Sequence, residues 1–174
     1  MSSIRKQAII SSLVVYIGFF IGAINTYLYI KEGHFSSEEF ALTRIFFDIG
    51  QNFYVFASLG VIPVMIKFYP YYKSNLQNSK NDLLTWSLVT ATIGFGIFLL
   101  LGFLLEPLVI QKFSQRSKLI VDYYHFIFPF VFGMLFFAVL EGYCWAIHES
   151  VFSTFLKETV LRVCTLVFIL LFYF

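Results

Sequence analysis

The sequence predicts an all-α integral membrane protein with about five transmembrane helices. Of its 174 residues, 59% are hydrophobic, 21% are aromatic and only 13% are charged, and the mean hydropathy is +0.81. Apolar stretches of about 20 residues recur along the chain, which is the length that a helix needs to cross about 30 Å of hydrocarbon. We expect a single transmembrane helical domain over residues 1–174. Its predicted spans are about 8–30, 45–66, 83–105, 126–147 and 151–174.

Charge and cysteine usage argue against several classes of protein. The net charge is only +2, and no basic run is longer than Arg5-Lys6, so nucleic-acid binding is not expected. Cys144 and Cys164 lie in predicted spans without a CxxC or Cys/His spacing, so we predict neither a disulfide framework nor a metal site. No phosphate-binding glycine loop is recognisable, and we predict no cofactor and no ATP hydrolysis by this chain.

The first span follows a short polar leader. Its apolar core, Ala8 to Ile30, is too long for a signal peptide and lacks an A-x-A cleavage site, so we predict a retained helix. Gly18 and Gly22 are four residues apart, a spacing that lets a neighbouring backbone approach closely. Asn25 lies on the same side, where its amide either joins two helices or lines a cavity.

The central stretch, Arg44 to Lys67, is long enough to span but carries polar residues along one helical side. These residues are Arg44, Asp48, Gln51, Asn52 and Ser58. A charge near the centre of a membrane helix costs about 2.5–3.5 kcal/mol on insertion scales, so we expect this side to face a cavity or other helices. For Arg44 the alternative is a place in the headgroup zone, and for Gln51 and Asn52 it is interhelical hydrogen bonding. Gly60 and Pro63 loosen the backbone near the other end.

The third and fourth predicted spans are joined by an amphipathic segment. The third ends at Glu106-Pro107, and Lys112, Arg116 and Lys118 then alternate with apolar residues, as in a segment at the membrane surface. Near the end of the fourth span, Glu141, Trp145 and His148 are expected on one face. They form either an interfacial or inter-helix polar cluster or a group that handles protons or lipid headgroups. Asp48, Glu141 and His148 are the candidates for ion or proton coupling.

The last predicted span, Val151 to Phe174, begins amphipathic and ends wholly apolar. Its polar side contains Lys157, Glu158, Arg162 and Thr165. No polar flank follows, so we expect an amino-terminal fragment of a longer protein, truncated at its carboxyl end. With a cytoplasmic amino terminus, the inner segments hold seven Lys/Arg residues (positions 5, 6, 67, 73, 80, 157, 162) and the outer ones five (31, 44, 112, 116, 118), which favours that orientation.

Three runs of this sequence carry a resemblance to a known family. They are FALTRIFFDIGQNFYVFASLGVIPVMIKFYPYYK, VDYYHFIFPFVFG and FSTFLKETVLRV. With Leu42-Thr43-Arg44, Gly60, Phe68-Tyr69-Pro70, Glu158 and Arg162 in place, the chain resembles the amino-terminal part of bacterial polysaccharide flippases. These are the O-antigen and teichoic-acid exporter-like members of the multidrug/oligosaccharidyl-lipid/polysaccharide exporter superfamily.

The resemblance implies a fold and a function. Members have two lobes around a central cavity, so about five helices here would supply most of one lobe. They move undecaprenyl-pyrophosphate-linked oligosaccharide across the bacterial inner membrane by alternating access, and polysaccharide polymerase machinery is a possible partner. A cationic cavity suits the pyrophosphate, and Arg44 and Arg162 are the arginines here that match it. Asn25, Asp48, Gln51 and Asn52 complete the expected cavity-lining set.

Other functions compete with transport of a lipid-linked glycan. A cation-coupled multidrug or small-molecule exporter of the same superfamily would depend on Asp48 more than on the arginines. A membrane-bound transferase would use His125, His148, Asp122 or Glu141 as acid and base. A structural membrane module would use the glycines and polar stripes for packing alone. We expect no enzymatic activity.

Overall fold

A computed structural model describes residues 3–31, 35–76, 82–114 and 118–173. Over these ranges the chain is helical and contains no β-strand. The elements are α1 (Ser3–Ile30), α2 (Ser37–Ala57), α3 (Val61–Asn75), α4 (Leu83–Phe113), α5 (Lys118–Asp122), a 3₁₀ turn (Tyr124–Phe126), α6 (Ile127–Ala146), α7 (Ser150–Phe155), a π-helix (Leu156–Val160) and α8 (Leu161–Tyr173). Lys80, Arg116 and Phe174, used above for topology and truncation, lie outside the described residues.

The all-α membrane class is confirmed by the length and composition of the helices. Arg5–Ile30, Leu83–Phe113 and Tyr124–Ala146 are each long and apolar enough to cross a bilayer, and α2 with α3 makes a fourth if the bent pair is one span. The fifth predicted span corresponds to α7, the π-helix and α8, none of which is long enough alone. They follow one another without interruption over residues 150–173.

The described residues divide into two compact units. One unit combines the two ends of the chain, Met1–Phe40 and His148–Phe174, and the other comprises Ala41–Ile147. We call them the terminal unit and the central unit. Helices α1, α7 and α8 with the π-helix pack together in the terminal unit, and α3, α4 and α6 pack together in the central unit.

The core of the central unit has two clusters of buried apolar side chains. The first contains Ala57, Val61, Met65, Leu83, Ala91, Leu135 and Val139. The second, near the start of α6, contains Tyr124, Ile127, Phe128 and Val131. Apolar burial does not drive helix association in lipid, so close packing and hydrogen bonds hold these helices together. One such bond joins the Tyr124 hydroxyl to the Gly102 carbonyl at 2.8 Å.

The central stretch is two helices, not the continuous helix expected from its hydropathy. The axes of α2 and α3 differ by 52° across the break at residues 58–60. Leu59 and Gly60 adopt left-handed conformations with φ of 50° and 73°, and Ser58 Oγ donates to the Val55 carbonyl at 2.7 Å. Glycine adopts this conformation at little cost, so Gly60 marks the break. Pro63 is tolerated because it falls in the first turn of α3, where backbone N–H groups lack helical partners.

Helix α4 also differs from its predicted end. It continues past Glu106-Pro107 to Phe113, and the predicted surface segment is shared between the end of α4, the short α5 and the 3₁₀ turn. The predicted end of this span followed the hydropathy, which falls at the first charged residue and proline, Glu106-Pro107. The membrane-crossing length and the helix length are different quantities, and a helix extends beyond the hydrocarbon when its polar residues reach water.

A glycine of α4 packs against the end of α2, next to the break between α2 and α3. A Cβ atom built on Gly94 would overlap the carbonyl oxygen of Ala57, whereas one built on Gly96 would meet nothing within 4 Å. The two glycines are two residues apart on the same helix, but only Gly94 faces the Ala57 backbone. Gly94 therefore sets how closely α4 approaches the end of α2.

Replacing Gly94 by alanine is expected to destabilise the protein. The added methyl group must push the Ala57 backbone away, and overpacking of this kind costs about 1–3 kcal/mol. Thermal unfolding in detergent should show a lower Tm for Gly94→Ala. Gly96→Ala is the control and should be neutral or slightly stabilising, because alanine is the better helix former. Equal Tm values for the two variants would contradict the packing seen at the break.

Candidate functional site

The strongest concentration of polar contacts in the terminal unit lies halfway along α1. Gly18 is thirteen residues after Arg5 and twelve before Ile30, the ends of this apolar span. At 1.5 Å per residue the two ends are about 20 Å and about 18 Å away, so Gly18 lies near the centre of the predicted span. The π-helix and the start of α8 pack against α1 at this level. Glu158 and Arg162 therefore bring a charge pair to the level of the middle of this candidate span.

Arg162 is held by two hydrogen bonds of different kinds. Its Nη1 donates to the backbone carbonyl of Gly18 at 3.0 Å, and its Nη2 donates to Glu158 Oε2 at 2.7 Å. The second contact is an ion pair between residues one helical turn apart. Because each charge is costly in hydrocarbon, the pair neutralises what either residue would cost alone. The side chains are still 31% exposed for Arg162 and 24% for Glu158.

Gly18 and Gly22 form the surface of α1 that receives these residues. A Cβ on Gly18 would overlap the backbone carbonyl of Glu158, and a Cβ on Gly22 would overlap the guanidinium of Arg162. Thr159 Oγ1 donates to the Val14 carbonyl at 3.4 Å, one turn before Gly18. The small residues thus give the second helix room both for its backbone and for its arginine.

Asn25 binds the backbone of Arg162. Its Nδ2 donates to the Arg162 carbonyl at 2.9 Å, and the residue is only 7% exposed. Since a carbonyl must be met by a donor, this bond also fixes which end of the amide is Oδ1. Among the residues that the structure describes, the buried Oδ1 has no hydrogen-bond partner.

A π-helix positions the pair. Leu156–Val160 forms this segment, and the Leu161 N–H donates to the Leu156 carbonyl five residues earlier. A π-turn accommodates an additional residue, so it changes the direction in which the following side chains point. Glu158 lies inside the segment and Arg162 just after it. Single π-turns within α-helices occur frequently at functional sites.

The central unit carries a second polar surface, on α2. Arg44, Asp48, Gln51 and Asn52 are all exposed. Asn52 Nδ2 donates to the Asp48 carbonyl at 2.7 Å. The other side of α2 contains buried Gly50, which contacts Phe130 of α6 so closely that a Cβ would not fit. We call these four exposed residues the α2 polar row. Ser58, predicted to extend it, is instead buried at the break.

The coupling candidates do not share one helical face. Asp48 belongs to the α2 polar row, and Glu141 is buried in α6 at 9% exposure. Helix α6 ends at Ala146, and His148 lies beyond it with a left-handed φ of 66°. Its backbone carbonyl accepts a hydrogen bond from Gln7 Nε2 at 3.3 Å. The predicted face of Glu141, Trp145 and His148 is therefore not continuous, because the helix ends before His148.

Among the residues suggested for a transferase, His125 contacts a carboxylate of α4. His125 Nε2 is 3.5 Å from Glu106 Oε1, and the histidine side chain is 63% exposed. Asp122, the partner considered from the sequence, is the last residue of α5. Within the described ranges no three His, Cys, Asp or Glu residues cluster so as to hold a metal ion.

Glu158 is the polar residue that the sequence reasoning did not place among the site candidates. The sequence places it on the polar side of the last span and among the residues that carry the family resemblance. A stronger signal was available, because Glu158 and Arg162 are four residues apart with the orientation that favours an ion pair. What the sequence alone does not specify is that both residues meet Gly18 and Gly22 of α1, which are more than 130 residues away in the chain.

Comparison of the chain with known protein families, curated proteins and solved structures gives no match.

Alanine at Gly18 is expected to separate α1 from the π-helix. Its methyl group would displace the Glu158 backbone and lengthen the Arg162 bond to Gly18, a change worth about 1–3 kcal/mol as overpacking. Gly22→Ala should act in the same direction but less strongly, since it meets a flexible guanidinium instead of backbone. Thermal unfolding in detergent measures both variants.

Gly133→Ala provides the control, because a Cβ there meets nothing within 4 Å. A Tm for Gly18→Ala as high as that for Gly133→Ala would show that α1 and the π-helix do not pack as described.

Proposed function

We propose that this protein is a membrane transporter, or part of one, that carries an anionic lipid-linked glycan. The observation that carries the proposal is the α2 polar row. Four polar side chains are exposed along one side of a helix whose opposite side packs into its unit. Because hydrocarbon is a poor environment for charges and amides, a surface of this kind belongs against water, a solute or other polar helices.

The chemistry of the α2 polar row suits a phosphorylated sugar. The guanidinium of Arg44 matches two phosphate oxygens at once, and it stays charged at any physiological pH. The amides of Gln51 and Asn52 offer both donors and acceptors, as sugar hydroxyls require. The resemblance to polysaccharide flippases supports the choice of an undecaprenyl-pyrophosphate-linked oligosaccharide as substrate. It also supports the bacterial inner membrane as location and a cytoplasmic amino terminus.

Arg44 and Arg162 have different roles in this proposal. Arg162 is engaged by Glu158 and by the Gly18 carbonyl, so its guanidinium is already paired within the terminal unit. Arg44 is exposed on the polar side of α2, in the same row as the amides proposed to meet the sugar. That position makes Arg44 the residue proposed to meet the phosphate.

A second candidate is a cation-coupled exporter of drugs or small molecules. The observation that favours it is the exposed carboxylate of Asp48, one turn after Arg44 in the same row. A carboxylate in such a position attracts cations and repels phosphate. The two candidates therefore differ in which residue of one row is essential.

Arg44→Ala is expected to reduce surface polysaccharide at least tenfold in cells that lack their own flippase and express the full-length protein. Loss of one charge-assisted contact of about 1.5–3 kcal/mol gives an effect of this order. Arg44→Lys should retain part of the activity, because lysine keeps the charge but not the paired geometry. Membrane abundance is measured in parallel.

Lys31→Ala is the matched control, since Lys31 is an exposed cation outside the α2 polar row. Equal polysaccharide from Arg44→Ala and Lys31→Ala would reject the role of Arg44. If the parent protein restores no polysaccharide but confers drug efflux that Asp48→Ala abolishes, the exporter function replaces the proposed one.

A further inference from the structure

A groove lined by apolar side chains lies between the start of α2 and the start of α6. Helix α2 contributes Leu42, Thr43 and Phe46, and the 3₁₀ turn and the first turns of α6 contribute Phe126 and Phe130. All of these residues belong to the central unit. The volume is about 450 Å³, within the range of about 300–1,000 Å³ that small-molecule sites occupy. We call this feature the α2–α6 groove.

The sequence at the start of α6 sends one set of side chains to the core and another to the groove. Phe128 and Val131 are buried in the second core cluster. Phe126, Pro129 and Phe130 are spaced by three and four residues, so they share a different side of the helix, and they line the groove. Pro129 is tolerated because it falls in the first turn of α6, where backbone N–H groups lack helical partners.

The ring of Phe130 is held in place by α2, so the groove exists before anything binds. A Cβ atom built on Gly50 would overlap this ring, which shows how closely the ring approaches the α2 backbone. Phe46 and Phe47 meet the same ring edge-on, with centroids 6.3 Å and 5.3 Å away. A ligand that enters a preformed groove does not have to order these side chains, and this favours its binding.

The groove lies at the edge of a candidate membrane span. Tyr124–Ala146 is long and apolar enough to cross a bilayer, and Phe126 and Phe130 fall within its first two turns. Tyr123, which also lines the groove, comes just before this span and is 45% exposed. Tyrosine is enriched where the hydrocarbon meets the headgroups. In a bilayer crossed by this span, the groove therefore begins at headgroup level and continues beside the hydrocarbon.

The lining of the groove selects an uncharged occupant. Among the described residues that line it, none carries a charge, and only Thr43 and Tyr123 carry a hydroxyl group. A charged group placed inside would lose its hydration without gaining a partner, whereas a hydrocarbon chain has no hydration to lose. We propose that the α2–α6 groove binds one hydrocarbon chain of a bilayer phospholipid, whose headgroup stays outside at the level of Tyr123. The inference goes beyond the proposed function and does not rest on it.

The size of the groove favours a lipid chain over a second protein surface. A stable protein–protein interface takes about 20–30 residues on each side, whereas seven residues line the groove. Lipid tails are as apolar as the groove, so burial from water does not distinguish the bound chain from the surrounding lipid. What the bound chain gains is a set of close contacts with fixed aromatic rings.

Native mass spectrometry of the purified full-length protein in detergent tests the proposal, because it resolves individual bound lipids. The probes are phosphatidylcholine and phosphatidylglycerol with the same long acyl chains. Their affinities for the first site should agree within about threefold, since no charge in the groove distinguishes the headgroups. Phosphatidylcholine with short chains should bind about tenfold more weakly, because fewer chain atoms reach the rings.

Leu42→Trp fills the groove and should weaken the binding of long-chain phosphatidylcholine about tenfold. Leu104→Trp is the matched control, because it makes the same change on α4 at a side chain that is 64% exposed and outside the groove. Phe126→Ala removes one wall and should weaken binding in the same direction. Phe126 is 62% exposed, so this variant tests the groove if Leu42→Trp does not fold. Its control is Phe56→Ala, at a phenylalanine of α2 that is 75% exposed and outside the groove.

The proposal is overturned if Phe126→Ala binds long-chain phosphatidylcholine as the parent does, or if Leu104→Trp weakens binding as much as Leu42→Trp. A preference for phosphatidylglycerol beyond about threefold would also overturn it, since a cation outside the groove would then hold the lipid. Polyprenyl phosphate that binds at the groove where the phospholipids do not would instead assign the groove to the lipid of the proposed function.

Discussion

The hydrogen bond from Arg162 to the Gly18 carbonyl determines how the terminal unit is built. The Gly18 carbonyl already belongs to a helix, so an additional donor reaches it only where no side chain covers the backbone. Glycine at positions 18 and 22 provides that access, and the π-helix carries Glu158 to the same level. The charge of the arginine is met there by Glu158, whose Oε2 lies 2.7 Å from Nη2 of Arg162. The same two glycines therefore allow both the close packing of the helices and the contact of the charge pair with α1.

In the central unit, the polar side chains of α2 have a different arrangement. Arg44, Asp48, Gln51 and Asn52 are exposed on one side of α2, and Gly50 contacts Phe130 on the opposite side. The row ends at Asn52 and α2 ends at Ala57, and Ser58 lies buried at the 52° break, where Leu59 and Gly60 turn the chain. Gly94 then covers the exposed end of α2 at the Ala57 carbonyl. The break separates a polar helix from the mainly apolar contacts of α3.

The sequence was sufficient for the class of fold and for the polar side of α2, since both depend on local patterns of apolar and polar residues. It was insufficient at residues 58–60, because hydropathy does not distinguish a straight helix from a bent pair of equal length. Gly60 and Pro63 were recognised as weak points, but the left-handed φ of Leu59 is not a preference of leucine and results from its surroundings. The fourth span is predicted to end at Ile147 and α6 ends at Ala146, but no local pattern specifies the left-handed φ of His148 that follows. The contact of Arg162 with Gly18 joins segments more than 130 residues apart, and no local pattern specifies it.

The two polar surfaces also differ in what a change of charge can do. In the α2 polar row, Arg44 and Asp48 are exposed, so water and salt screen their interaction and the free energy of any one contact is small. The Glu158–Arg162 pair is instead held within the terminal unit by the Gly18 carbonyl and by an ion pair at 2.7 Å, and its side chains are 24% to 31% exposed. Removal of either member would leave a partly buried charge without its partner, which costs more than the loss of an exposed contact. This difference is consistent with the solute contact proposed for the α2 polar row, and it suits the Glu158–Arg162 pair to holding α1 against the π-helix and α8.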